Sequence, residues 1–345
     1  MTSFSAARDS LEGLALGDAF GERWFPLFRP ARVAFQEIRA RRVPGELSWH
    51  WTDDTAMALS VYRVLTAYEA VHQDDLALAF GVTYLADSHR GYGYGMHQLL
   101  PKLADRPRSW RSETRELFGG EGSLGNGAAM RVAPLGAWFC ADLDEVAEQA
   151  ALSAEVTHAH PEGVAGAVAV ALAAALAARG RDAGRDAGRD AGRDTGHDRE
   201  TDRAAGRGLH AYPDPDPDPA SRTAAPDGAE LLAQVAGRTP AGEVREGLLR
   251  AADLPAATEP WRAADVLGNG RRITAGDTVP FALWSAAHHL GSLTDALWTT
   301  AEGLGDVDTT CAITGGVVAA RTGLGGAPQV WAARREPLPS WVDEG

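Results

Sequence analysis

The sequence predicts an all-α protein, and two observations support this fold class. Apolar residues recur at helical spacing in most segments, and nowhere do β-branched and aromatic residues alternate convincingly with the period of two that marks a strand. The glycine, aspartate and histidine residues gather in the irregular connections between these helical patterns. A length of 345 residues suits one large domain or two ordinary ones with a sizeable buried core.

Composition excludes several classes of protein. The chain is 45% hydrophobic and 23% charged, as soluble globular proteins are. Its formal net charge of −14 argues against a nucleic-acid-binding surface and against an anionic membrane as a partner. The two cysteines, Cys140 and Cys311, lack metal-ligand spacing and imply no disulfide framework, and the N-terminus lacks signal-peptide features. We therefore expect a cytoplasmic monomer that does not bind membranes.

The N-terminal part reads as helices joined by glycine-rich turns. The first helical pattern covers residues 4–18 and meets a turn at Gly17-Asp18-Ala19-Phe20-Gly21. A loop rich in proline, arginine and tryptophan is predicted to run to residue 51. Further helices are predicted at about 52–70, about 74–88 and about 94–104, the first capped by Thr52 and the second by Asp74 or Asp75.

The C-terminal part continues this pattern around one low-complexity segment. Asp142 is predicted to cap a helix at about 143–157, and Pro161 to begin an alanine-rich buried helix ending at about 178. Residues 179–228 repeat Arg-Asp-Ala-Gly and then Pro-Asp, with almost no large apolar side chains, so we expect a disordered surface insertion. The remaining helices are predicted at about 229–237, about 240–252, from a cap at Asp277 or Thr278 through Trp284, about 293–302 and about 309–321.

Two acidic motifs at opposite ends of the chain are the main candidates for chemistry. They are Trp51-Thr52-Asp53-Asp54-Thr55 and Gly305-Asp306-Val307-Asp308-Thr309-Thr310. Taken alone, the first motif is most simply the capped start of a helix. Brought together, however, the four carboxylates would repel one another strongly unless hard cations lay between them. Because these motifs offer only oxygen ligands, we expect Mg²⁺ first, Mn²⁺ second and Ca²⁺ third, and zinc is disfavoured.

Three other segments are weaker candidates for a binding site. The loop containing Gly125-Asn126-Gly127 enters a helical segment and would suit a phosphate, but it could equally be a tight turn. His158 lies at a helix junction, where capping or core packing is as good an explanation as ligand contact. Gly93-Tyr94-Gly95 would place a tyrosine ring against a sugar or base, or would act only as a hinge.

Taken together, these segments resemble the ADP-ribosylglycohydrolase family, whose namesake reactivates dinitrogenase reductase. The resemblance follows the family's order over nearly the whole chain outside 179–228. It rests on Gly17–Gly21, Trp51–Thr55, Gly125–Gly127 with Met130-Arg131-Val132-Ala133-Pro134, Thr157-His158, Asp277-Thr278-Val279-Pro280-Phe281-Ala282-Leu283-Trp284 and Gly305–Thr309.

The resemblance implies a compact, single-domain, multi-helix orthogonal bundle that holds two Mg²⁺ or Mn²⁺ ions. Thr52, Asp53 and Asp54 fall on the family's first ligand group, and Asp306, Asp308 and Thr309 fall on its second. Gly125, Asn126, Gly127, Met130 and His158 fall in regions that line the ADP-ribose site in the family, and Gly93, Tyr94 and Gly95 are further candidates for substrate contact. One departure is visible, because many members carry a glutamate where this chain has Phe25, and Glu22 lies three positions early.

The activity that the resemblance implies is hydrolysis of the glycosidic bond between ADP-ribose and an acceptor such as arginine, in an ADP-ribosylated protein or a small molecule. Asp53 or Asp54 is the expected carboxylate that also handles the proton. Two alternatives stay open at this point. The acidic residues would also serve a metal-dependent phosphohydrolase acting on a nucleotide derivative, and Phe25 would be compatible with an ADP-ribose-binding protein without turnover.

Overall fold

The computed structural model describes residues 3–193 and 227–343, and in these ranges the protein is built from α-helices. No strand occurs in these ranges, and only two isolated β-bridges join neighbouring segments. The all-α prediction is confirmed. The helices are α1 (Ser3–Glu22), α2 (Ala31–Arg39), α3 (Asp53–Tyr68), α4 (Gln73–Ala86), α5 (Tyr94–Asp105), α6 (Trp110–Glu116), α7 (Ala133–Trp138), α8 (Leu143–Glu155), α9 (Pro161–Arg193), α10 (Gly228–Arg238), α11 (Glu243–Asp253), α12 (Pro260–Leu267), α13 (Ala275–His288), α14 (Leu293–Glu302), α15 (Val307–Thr322) and α16 (Gln329–Arg334).

A stripe of glycines lets α1 pack directly against the backbone of α15. Gly13, Gly17 and Gly21 are spaced four residues apart and therefore share one face of α1. A Cβ atom at Gly17 would lie 2.0 Å from the carbonyl oxygen of Cys311, and one at Gly21 would lie 2.4 Å from that of Val307. The turn predicted at residues 17–21 is wrong, because these glycines serve close helix packing inside α1 rather than a chain reversal.

Helix α9 passes through the core and extends further than predicted. The stretch Pro161–Arg181 is long and apolar enough to cross a membrane, but 89% of its most apolar window is buried inside the protein. The helix continues to Arg193, beyond the end predicted at about 178. Most of the insertion predicted at 179–228 falls on residues 194–226, which lie outside the described residues.

Caps account for several helix starts. Thr52 caps α3 by accepting a bond from the Asp54 N–H, and Asp142 caps α8, both as predicted. Helix α13 instead begins at Ala275 with Thr274 as its cap, so the cap predicted at Asp277 or Thr278 is wrong. The Asp277 carboxylate accepts hydrogen bonds from the preceding loop, from the N–H and Nε of Arg272 at 2.8 and 3.0 Å.

Two further predictions differ from the structure. Helix α4 has His72 at its N-cap, and Asp74 and Asp75 lie in the first turn without capping it. The Asp74 carboxylate accepts a bond from the Trp110 indole instead. The loop predicted up to residue 51 contains α2, a helix of nine residues that buries Ala34 and Ile38.

A C-terminal strap, defined as residues 334–336, holds the segment that precedes α3. The Trp49 N–H donates to the Arg334 carbonyl, and the Glu336 N–H donates to the Trp49 carbonyl, both at 2.8 Å. The Glu336 carboxylate accepts two bonds from the Arg90 guanidinium, at 2.7 and 2.8 Å. The Arg90 guanidinium also donates to the Trp51 carbonyl at 2.9 Å and lies 3.7 Å from the centroid of the Trp51 ring. The Arg90 carbonyl accepts a hydrogen bond from the Asp53 N–H at 2.7 Å. The strap thus fixes the entry into the first acidic motif.

The glycine stripe gives a stability prediction. Gly17→Ala gains helix propensity of about 1 kcal/mol, but its methyl group overlaps the Cys311 carbonyl, so we expect a net loss of about 1–3 kcal/mol in the free energy of unfolding. Gly237→Ala in α10 is the matched control, since a Cβ atom there meets no atom within 4 Å. The control should be neutral or stabilising in urea denaturation. A Gly17→Ala protein as stable as the wild type would contradict the packing described here.

The strap gives a second stability prediction. Because both side chains of the Arg90–Glu336 pair are about four-fifths buried, a double-mutant cycle with Arg90→Gln and Glu336→Gln should give a coupling energy of about 1–2 kcal/mol. The control is the Arg238–Asp144 pair, whose side chains are 47% and 88% exposed and whose coupling should be close to zero. Equal coupling energies for the two pairs in urea denaturation would contradict a clamping role for Glu336.

Candidate active site

One large cavity, of about 450 Å³, collects nearly all the residues that the sequence singled out. Thr52 is the exception, since it is buried behind Asp54 and does not line the cavity. The predicted residues that line it are Asp53, Asp54, Gly93, Tyr94, Gly95, Gly125, Asn126, Gly127, Met130, His158, Asp306, Asp308 and Thr309. Glu22 and Phe25 lie outside this lining.

Asp18 of α1 positions the first acidic motif. Its carboxylate accepts the N–H of Thr52 at 2.9 Å, the N–H of Thr55 at 3.1 Å and the Thr55 hydroxyl at 2.5 Å. Burial raises the pKa of Asp18 to about 6, against the opposing effect of these hydrogen bonds. The sequence showed this aspartate only as part of a turn, because its partners are more than 30 residues away. In the structure it anchors the start of α3 to α1.

The two acidic motifs meet at the cavity floor. The Thr309 hydroxyl at the start of α15 donates to Asp54 Oδ2 at 3.5 Å, and the Thr52 hydroxyl donates to the same oxygen at 3.2 Å. Asn126 donates to Asp306 Oδ2 at 2.7 Å, which brings the glycine-rich loop to the second motif. Residues separated by more than 250 positions in the chain therefore form one polar cluster.

The cluster concentrates negative charge where water is scarce. Burial first, and then the neighbouring carboxylates of Asp18 and Asp306, raise the pKa of Asp53 to about 8. Burial and the surrounding carboxylates also hold the pKa values of Asp54 and Asp308 well above the usual range. Without a compensating positive charge, this site favours protonated carboxyl groups over carboxylates.

The donor chemistry of the cluster fits hard divalent cations. Every side chain of the two motifs that faces the cavity offers oxygen, and Asp54 Oδ1 is buried with no hydrogen-bond partner among the described residues. As the side chains stand, no group of three or more His, Cys, Asp or Glu residues in the described parts of the chain could hold a metal ion. Several carboxylate oxygens accept hydrogen bonds from the protein instead. For example, Asp308 Oδ1 accepts one from the Thr309 N–H at 2.7 Å. Binding a cation would therefore require these carboxylates to rotate.

The glycine-rich loop is supported from behind by His158 and Arg131. A Cβ atom at Gly127 would lie 3.1 Å from the His158 ring, so the loop backbone rests directly on the imidazole. Burial, followed by the nearby Arg131, lowers the pKa of His158 to about 3, and the ring is therefore neutral. The Gly125 N–H already donates to Ser123 and the Asn126 N–H to Ile273, which leaves fewer loop amides for a phosphate than the sequence suggested.

Arg131 was not among the predicted site residues, although it lines the cavity. It is fully buried, donates to the Gly127 carbonyl at 3.2 Å and to the Thr157 hydroxyl at 2.8 Å, and lies over the Phe80 ring. Burial lowers the pKa of Arg131 to about 9, so the guanidinium keeps its charge at neutral pH. It supplies positive charge behind an otherwise acidic floor.

Two aromatic side chains stand at the mouth of the cavity. Tyr94 at the start of α5 is 76% exposed, and Phe118 is 56% exposed. The Phe118 ring packs against Gly95, where an added Cβ atom would lie 3.0 Å from Cζ. Sequence reasoning identified Tyr94 but missed Phe118, whose positive φ of 54° places the ring in a way that no local pattern indicates.

Comparisons with known proteins agree with this architecture. The ADP-ribosylglycohydrolase family model matches residues 1–344. The chain is 40% identical to human ADP-ribosylhydrolase ARH3 over 120 residues, which are 34% of this chain and 33% of the relative. It is 40% identical to the chicken (Gallus gallus) ADP-ribosylhydrolase ARH3 over 175 residues, 47% of each protein. The matched segments thus span between a third and a half of these curated relatives.

A solved structure supports the fold independently. The chain superposes on an ADP-ribosylglycohydrolase-related protein complex with a TM-score of 0.52, covering 95% of this chain and 91% of the other at 22% identity. At that identity the likeness concerns the fold alone. Because the family model covers all but the last residue, the chain belongs to the ADP-ribosylglycohydrolase family.

Proposed function

We propose that the protein hydrolyses the glycosidic bond between ADP-ribose and an acceptor group, with divalent cations held between its two acidic motifs. The observation that carries the proposal is the meeting of Asp54 with Thr309 at the floor of one cavity, since each residue brings a complete acidic motif with it. Family membership supports the reaction class. The similarity to ADP-ribosylhydrolases supports an ADP-ribosyl substrate.

The cavity offers features that suit the parts of ADP-ribose. Its volume of about 450 Å³ lies in the usual range for small-molecule sites. Tyr94 and Phe118 at the mouth present apolar ring faces to a base, and Arg131 contributes positive charge that favours a diphosphate. The ribose that carries the acceptor would then lie over the acidic motifs.

The residues that would hold the cations are Thr52, Asp53, Asp54, Asp306, Asp308 and Thr309. When bound, such cations orient the ribose hydroxyls, stabilise negative charge on the departing group and lower the pKa of a water molecule. They would also allow Asp53 and Asp54 to ionise at neutral pH, because positive charge offsets the burial and repulsion that hold their protons.

Bond cleavage then needs a carboxylate that moves a proton. The bond between the anomeric carbon and the acceptor breaks, the hydroxyl of water joins that carbon, and the proton of water leaves with the acceptor. Asp53 or Asp54 would accept this proton from water and donate it to the departing acceptor. Asp18 holds both residues in place through the Thr52 and Thr55 N–H groups.

An assay with ADP-ribose linked to arginine, to serine or through an ester tests the reaction and its dependence on metal. Free ADP-ribose should be released in Mg²⁺ or Mn²⁺, and EDTA should abolish the release reversibly. Asp54→Asn should lower kcat/KM by about 100-fold or more, since it removes a cation ligand and a candidate proton acceptor. Asp265→Asn is the control, because Asp265 is an exposed residue of α12 far from the cavity lining.

The products separate the proposal from its alternatives. Release of AMP or inorganic phosphate would instead indicate a phosphohydrolase. Tight ADP-ribose binding in calorimetry, without turnover of arginine, serine or ester linkages, would indicate a binding protein. Turnover at full rate in EDTA would contradict the role proposed for the acidic motifs.

A further inference from the structure

A second, smaller cavity of about 320 Å³ lies beside the large one, and the two share Asp306 and Ile273 as lining residues. Its walls come from three separate segments: the turn after α1, the loop before α13 and the residues leading into α15. The lining residues are Trp24, Phe25, Pro26, Ala31, Gly270, Arg271, Ile273, Leu304, Gly305, Asp306 and Val307. Asp306 is the only carboxylate in this lining, and Arg271 is the only cation.

We propose that this small cavity receives the acceptor group of the substrate and selects an uncharged, apolar or aromatic acceptor over a guanidinium. This inference rests on the proposed function and deepens it. If ADP-ribose fills the large cavity with its anomeric carbon over the acidic motifs, the acceptor must extend away from ADP-ribose. Asp306 and Ile273 line both cavities, so an acceptor that leaves the anomeric carbon beside Asp306 would reach the small cavity.

The lining residues disfavour a cationic acceptor. Asp306 is the only possible counter-ion, but its Oδ2 already accepts a bond from Asn126 at 2.7 Å, and the residue belongs to the cluster assigned to cations. The exposed Arg271 would repel a guanidinium from the rim. The indole of Trp24 is already covered by the Arg29 guanidinium at 5.1 Å, so its capacity for a cation–π contact is partly used. A charge placed here would be desolvated without a partner.

The same lining residues favour an apolar acceptor. Trp24 is 1% exposed and Val307 is 1% exposed, so they give a rigid apolar wall. Phe25 is half-buried, packs against the core and lines the small cavity. Its phenyl ring adds apolar surface and offers no charge that could pair with a cationic acceptor. Phe25 is therefore the specificity-determining residue of the small cavity.

Acceptor specificity can be measured with two synthetic conjugates, 4-nitrophenyl ADP-riboside and ADP-ribosyl-agmatine. Because 4-nitrophenolate is the better leaving group, each conjugate is compared with itself across variants. Phe25→Ala should lower kcat/KM for the aryl conjugate by about ten-fold and leave the agmatine conjugate nearly unchanged. Phe25→Glu should raise the ratio of kcat/KM for the agmatine conjugate to kcat/KM for the aryl conjugate by about ten-fold or more. Leu27→Ala is the control, since Leu27 is 86% exposed on the same turn and does not line the cavity.

Binding measurements keep the inference separate from the proposed function. The Kd of free ADP-ribose in calorimetry should be the same in all these variants, because they leave the large cavity intact. Equal losses for both conjugates, or a parallel loss of ADP-ribose affinity, would overturn the assignment of the small cavity.

If the wild type turns over neither conjugate nor an arginine, serine or ester linkage, the proposed function has failed, and binding alone then decides. The uncleaved aryl conjugate should bind more tightly than free ADP-ribose, and Phe25→Ala should remove the difference. Equal affinities of the wild type for the conjugate and for ADP-ribose would overturn the inference.

Discussion

The direct contact between the backbones of α1 and α15 is the constraint on which the site depends. Glycines at every fourth position of α1 bring the two helices closer than any side chain would permit. Asp18, carried on α1, can then hold the start of α3, while the start of α15 carries Asp308 and Thr309 to the same place. The C-terminal end of α1 and the N-terminal ends of α3 and α15 thus meet around one cavity, where the dipoles of α3 and α15 favour negative charge.

That alignment has an electrostatic cost. The shift of the Asp53 pKa from 3.8 to about 8 corresponds to on the order of 5 kcal/mol opposing ionisation. The packing of the core does not depend on buried carboxylates at this position, and apolar side chains of the same volume would stabilise the fold better. The cations of the proposed function would reverse this balance, because they would be attracted by the same carboxylates that repel one another. The cluster would therefore be more stable with such cations bound.

The sequence predicted those parts of this arrangement that are local. Short stretches of sequence encode helix periodicity, the Thr52 and Asp142 caps and the repetition of the acidic motif. The structure bears out most of the predicted helices and these two caps. Parts that depend on long-range packing were not predictable. The Glu336–Arg90 clamp joins residues 246 positions apart, and Gly17 looks like a turn residue until α15 is packed against it. The small cavity is also invisible in the sequence, since its walls come from three separate segments.

The proposed reaction depends on whether the two acidic motifs hold cations together. Anomalous diffraction from crystals grown with MnCl₂ and ADP-ribose tests this most directly, because manganese scatters anomalously and the carboxylates do not. We expect two anomalous peaks between Asp54 and Asp308, with the carboxylates rotated toward them. One of these peaks should be lost in Asp306→Asn crystals. Absence of any peak at this position, in crystals where ADP-ribose is clearly bound in the large cavity, would contradict it.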